Sequence, residues 1–172
     1  MKYILPLLIL SLFNLQINCD KALKVVEYAK SKIGCGYIYR ATGQICTQDL
    51  INKLSKDHNV DPYIAKKWIG KEVFDCVGLV VRAFQQVGIK LPLGATSAWG
   101  KASWQSKGEI STLPKNRVCI LYRQGAGKML YTGIYLGNGE YIHAKGCREG
   151  VVKEKMPGKW THWGIPKGLY SI

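Results

Sequence analysis

The sequence predicts an α+β fold, with helices in the first half of the chain and an antiparallel sheet in the second. As far as Gly88, apolar residues recur at the three-to-four spacing of amphipathic helices. Beyond Pro92 the period shortens, and brief apolar runs rich in Val, Ile and Tyr follow one another. Those runs are separated by Gly125-Ala126-Gly127 and Gly137-Asn138-Gly139, the second of which joins its neighbours as a tight hairpin. Helices first and strands afterwards is the order of an α+β domain.

The first helix carries Ala22, Val25, Val26, Ala29 and Ile33 on one face, with Asp20 to cap it and Gly34 to stop it. A Gly-rich stretch with aromatics, GCGYIYRATGQ, comes next. Thr47 then caps a short helix bearing Leu50, Ile51 and Leu54, and Asp61-Pro62 starts another that Gly70 ends. The best-defined helix begins at Cys76 and aligns Leu79, Val80, Ala83, Phe84 and Val87 before Gly88 and Pro92 stop it. Strands are expected over 118–122, 130–136 and 141–144, with two short ones over 151–153 and 162–165. The chain has no repeat, low-complexity run or linker, so 20–172 reads as one domain.

Residues 1–19, MKYILPLLILSLFNLQINC, have a basic start and an apolar stretch too short to span a bilayer. They read as a secretory signal peptide, which makes the protein secreted and its mature start near Asp20. Asn18 and Cys19 are not the usual small-residue cleavage site. The chain holds 25 Lys+Arg and 11 Asp+Glu, a net charge of +14; removing the leader takes Lys2 and no acid, leaving 14 − 1 = +13. Such a balance favours anionic partners, but the basic residues are scattered, with Lys66-Lys67 the only adjacent pair. No nucleic-acid partner is expected, because no aromatic–basic pattern accompanies the charge. Nor is stable membrane insertion expected once the leader is gone.

Of the six cysteines, Cys19 falls within or beside the leader, which leaves Cys35, Cys46, Cys76, Cys119 and Cys147. An odd number in an oxidising compartment leaves one free thiol. If that is Cys76, the rest are expected to pair as Cys35–Cys46 and Cys119–Cys147, one of the three connectivities open to four cysteines. Zinc is set aside, since the chain has no CxxC pair and its histidines lie far apart in sequence.

In FDCVGLVVRAF, Asp75 caps the central helix and Cys76 opens it. Unpaired amides and the positive helix end favour a thiolate there and suit an oxyanion. The plainer reading is a buried, inert thiol. A nucleophile needs a base, and the candidates are His58, His143 and His162. His58 lies in the polar run SKDHNVD, His162 sits by tryptophans in KWTHWGIP, and His143 is on the second strand of the hairpin. Spacing alone leaves the base open.

FDCVGL with its following helix to Gly88-Ile89-Lys90-Leu91-Pro92 resembles the nucleophile helix of the NlpC family of cell-wall cysteine peptidases. TGIYLGNGEYIHA resembles that family's histidine strand, turn and next strand, and GCGYIY resembles the stretch bearing its active-site tyrosine. The resemblance implies a papain-like fold, with Cys76 as nucleophile and Tyr37 and Asp75 on the substrate side. It makes His143 the polar third member that orients the base. Two positions depart from the pattern. Val77 stands where serine is usual, and Tyr131 stands where the base histidine belongs. A phenol with an unperturbed pKa near 10 is a poor base for a thiol.

The expected activity is that of a secreted cysteine-type endopeptidase cutting peptidoglycan stem peptides through an acyl-enzyme on Cys76, without metal or organic cofactor. Three accounts of the missing base stand. His143 acts directly; the helix end keeps Cys76 partly ionised while water or Tyr131 protonates the leaving amine; or hydrolysis is lost and the chain only binds cell-wall fragments. A basic nucleic-acid or membrane-surface binder, resting on charge alone, ranks last.

Overall fold

The computed structural model of the protein describes residues 20–56 and 59–170. The leader, with Cys19, and His58 therefore lie outside the described residues. Helix α1 covers 20–31 and buries Ala22, Val25, Val26 and Ala29 as its apolar spacing requires. Ile33, expected on that face, falls beyond the helix end and is 46% exposed. Gly34 takes φ +87° there, and its N–H donates to Val151 O at 2.9 Å, so the turn is tied to the sheet.

Helix α2 (Gln48–Leu54) is capped by the Thr47 hydroxyl, and α3 (Pro62–Ala65) by the Asp61 carboxylate, as the cap residues predict. A 3₁₀ turn, Lys66–Trp68, follows α3. These pieces surround a small separate core that includes Ile38, Cys46, Ile51, Trp68 and Val73. Helix α4 (Cys76–Gln85) buries Leu79, Val80, Ala83 and Phe84 in the main core, against the central strands of the sheet. Its Gly78 is required by contact: a Cβ there would lie 2.2 Å from Ala41 O, well inside van der Waals distance.

Two sheets form. The smaller has the order β1 (Gly36–Tyr37), β3 (Glu72–Phe74), β2 (Thr42–Ile45), with β1 and β3 parallel. The larger contains β4 (Trp104–Glu109), β5 (Cys119–Gly125), β6 (Lys128–Tyr135), β7 (Glu140–Gly146), β8 (Gly150–Lys155) and β9 (His162–Pro166). Its order is β4-β9-β5-β6-β7-β8, and every pairing in it is antiparallel. The β5–β6 turn is Ala126-Gly127, both at positive φ (48° and 73°), which matches the twist of a two-residue hairpin. Helix α5 (Ala95–Lys101), strand β4 and the small sheet were not foreseen from the sequence.

The disulfide expectation is overturned: Cys35, Cys46, Cys76, Cys119 and Cys147 are all free thiols. Cys46 is buried in the small core, while Cys35 packs at the margin of the main one. Cys119 is fully buried at the start of β5, and Cys147 sits in the β7–β8 turn. Each expected pair thus divides its members between different surroundings. The buried thiols fill space as small apolar groups, so cysteine parity no longer singles out Cys76.

Candidate active site

Cys76 is the first residue of α4 and 7% exposed. It lies on a cavity of about 660 Å³ whose walls include Tyr39, Arg40, Asp75, Leu93 and Met129. The turn that carries it is held from two sides. The Asp75 carboxylate accepts from Gly78 N at 2.6 Å and from Arg40 N at 2.9 Å, and the buried Thr132 hydroxyl donates to Cys76 O at 2.9 Å. Strand β6 and the loop before β2 therefore fix the helix start that presents the thiol.

That position does not lower the thiol pKa. Burial, and then the negative charge of Asp75, push it up to about 11, against hydrogen bonds from Thr132 and Val77 that favour the thiolate. The expectation of a partly ionised cysteine at the helix end is corrected on this ground: covering the thiol with β6 costs the anion more hydration than the helix end returns. Asp75 is itself raised by burial, against its amide donors.

Tyr37, on β1, has its phenol raised by burial first and by the nearby Cys76 charge second. Tyr131, on β6, is raised by burial first, and then by the charges of Cys76 and Tyr37. The Tyr131 hydroxyl donates to the Ala144 carbonyl. Arg123 lies over its ring, 4.9 Å from the centroid, and His143 meets it edge-on at 5.7 Å. A phenol that is hard to ionise and already spends its proton on a carbonyl does not serve as a base.

His143 is on β7 and 6% exposed. Its Nε2 is 2.9 Å from Glu154 Oε2. Burial lowers the His143 pKa despite that carboxylate, so the ring is neutral at neutral pH and donates Nε2–H. Glu154, whose pKa is lowered to about 2, owes this first to Lys145 at 2.7 Å. Its ion pair is therefore with Lys145, and His143 is a neutral donor. His143 Nδ1 is buried without a partner among the described residues. With Nε2–H on Glu154, the lone pair left to accept a proton is that of Nδ1, and no hydrogen bond joins it to Cys76 among the described residues.

A second cavity of about 420 Å³ opens on this side, walled by Arg123, Tyr131, Tyr141, His143 and Trp160 with Glu149. The sequence reading missed Thr132, Glu154, Trp160 and Arg123. Only Glu154 had a signal, as the one acid between lysines on a strand, diagonally across from His143 in the β7–β8 register, where His143 faces Val152 and Glu154 faces Tyr141. His162, expected among tryptophans, does pack edge-on to Trp99 at 5.3 Å.

A cysteine opening a buried helix against an antiparallel sheet is the papain-like α+β arrangement. The sequence profile of the NlpC/P60 family matches residues 38–164, and the chain belongs to that family. Solved structures agree in fold. The NlpC/p60 domain of the peptidoglycan hydrolase SagA is 19% identical, with a TM-score of 0.57, over 84% of this chain and 97% of that one. The peptidoglycan hydrolase RipB of Mycobacterium tuberculosis is 22% identical, with a TM-score of 0.58, over 86% of this chain and 64% of that one, so this chain spans under two thirds of it. The P60 domain of an antigen of Mycobacterium avium subspecies paratuberculosis is 18% identical, with a TM-score of 0.58, over 87% and 96%. No curated protein matches in sequence. Among the described residues, no helix is long and apolar enough to cross a membrane.

Proposed function

We propose that this chain is a secreted cysteine-type endopeptidase that takes peptidoglycan stem peptides into the Cys76 groove and turns them over slowly at neutral pH. The observation that carries this reading is Cys76 itself, first residue of a buried helix and lining a cavity of about 660 Å³. In this mechanism the Cys76 thiolate attacks the amide carbonyl, and the amides at the start of α4 hold the oxyanion. Asp75 keeps those amides in place, and Tyr37 lines the substrate side. The amine leaves with a proton taken from water, and a second water releases the acyl group. Turnover is slow because the thiol is protonated at neutral pH and nothing beside it takes the proton.

A second reading, a module that binds stem peptides without cutting them, is favoured by the Tyr131 hydroxyl donating to Ala144 O. Release of peptides from purified peptidoglycan separates the two. Slow release by the parent that is lost in Cys76→Ala supports the peptidase. Binding with no release by either protein supports the module. Secretion is tested by recovering the processed chain from medium and sequencing its N-terminus, expected near Asp20.

A further inference from the structure

At the opposite end of α4 from Cys76, the chain closes around a concavity of about 380 Å³. Four lysines from four separate segments meet there: Lys21 on α1, Lys90 in the turn after α4, Lys101 at the end of α5 and Lys167 just past β9. Neither an acidic nor an aromatic side chain lines it. Lys21 Nζ donates to Gly168 O at 2.9 Å, which pins one wall to the next. Lys90, Lys101 and Lys167 are exposed and have no carboxylate partner among the described residues.

Converging ammonium groups without a counter-charge repel one another, and an anion placed among them relieves that repulsion. Lysine is a compact point charge on a flexible stem, which suits the tetrahedral oxygens of phosphate, whereas planar carboxylates are better held by the arginine fork. Without an aromatic wall there is no platform on which a base can stack. We propose that this pocket docks a linear phosphate polymer that carries no bases. The ten residues of α4 place it about 15 Å from the thiol, so the polymer is held apart from the Cys76 groove.

The test uses the full chain and fluorescence anisotropy with end-labelled linear inorganic polyphosphate, beside single-stranded DNA of equal charge. The pocket variant is Lys90→Glu/Lys101→Glu/Lys167→Glu. The control, Lys53→Glu/Lys56→Glu/Lys66→Glu, makes the same change in net charge on the exposed face of the small lobe. Polyphosphate is expected to bind the parent with log K falling on log salt at a slope of about −2 to −3, as three or four neutralised phosphates require. The pocket variant is expected to lose at least tenfold in affinity, while the control stays within threefold and DNA binds the parent more weakly. An equal loss in the control assigns the binding to net charge and overturns the proposal. So does an unchanged pocket variant, or DNA binding as tightly as polyphosphate with the same dependence on the pocket lysines. Melting curves show that each protein is folded, and the Lys→Gln triple replaces the Glu triple should that one melt early. These readouts do not involve Cys76, so they stand or fall apart from the peptidase reading.

Discussion

Replacing Tyr131 by histidine places an imidazole next in sequence to Thr132, whose hydroxyl meets the Cys76 carbonyl, at the position where a base is missing. The size of the effect follows from the thiol. With a pKa of about 11, about one Cys76 in 3,000 is ionised at pH 7.5. An imidazole that takes the proton and pairs with the thiolate raises that fraction by roughly 10³, as in Cys–His pairs elsewhere. Lower basicity makes the thiolate less nucleophilic, and a Brønsted slope near 0.45 takes back a factor of roughly 40. Ionisation alone therefore leaves a gain of roughly 25-fold, and protonation of the leaving amine by the imidazolium adds roughly 100-fold or more. The new ring also finds an acceptor already present, because His143 Nδ1 is buried, unprotonated and without a partner among the described residues. The assay is kcat/KM on a defined stem peptide at pH 7.5, with Tyr131→Phe as the control that removes the phenol and adds no base. A gain of 100-fold or more in Tyr131→His, and none in Tyr131→Phe, is expected. A folded Tyr131→His protein that binds the peptide as the parent does, yet cuts it no faster, refutes the reasoning about the missing base.

The parent's own kcat/KM should rise about tenfold per pH unit from pH 7 to 10, since its thiol titrates near 11; a plateau below pH 8.5 contradicts that. The same shift has a sign in stability. A folded pKa above the unfolded value near 8.5 means that the buried neutral thiol stabilises the fold below pH 8.5 and that this is lost as pH rises towards 11, by about 3 kcal/mol. Urea unfolding at pH 8 and 10.5 should show a smaller loss in Cys76→Ala than in the parent. At the acid end, Glu154, held near 2, stabilises the fold above pH 4.5 and ceases to do so as pH falls towards 2. Glu154→Gln should therefore flatten that part of the acid-unfolding curve, and an unchanged curve removes the Lys145 pair from the account. Gly78→Ala forces a Cβ to 2.2 Å from Ala41 O and should destabilise by about 3 kcal/mol, read from the denaturation midpoint.

Helix α4 was legible because its apolar stripe, its Asp75 cap and its Gly88 stop all agree. The β6–β7 hairpin was legible because Gly137 and Gly139 punctuate two β-rich runs. Strand β4 was not, since WQSKGE has no buried face to impose alternation. Helix α5 has Gly94 at its N-cap, which offers no side-chain cap, and β1 is two residues long. At the site, the motifs located Cys76, Tyr37, Tyr131 and His143 but not their energetics. Reading amides at a helix start takes no account of the burial that Thr132 and β6 impose on the thiol. Counting cysteines likewise takes no account of Cys46 and Cys119 being buried in separate cores. The His143–Glu154 contact depends on strand register, which a periodicity argument leaves unset.

The most direct test of the account is a single-turnover reaction of the parent with a defined stem peptide at pH 9, quenched in acid and followed by intact-protein and peptide mass spectrometry. The account predicts a transient thioester on Cys76 carrying the N-terminal part of the peptide, and none in Cys76→Ala. Peptide cleaved by the Cys76→Ala protein at the parent's rate contradicts it.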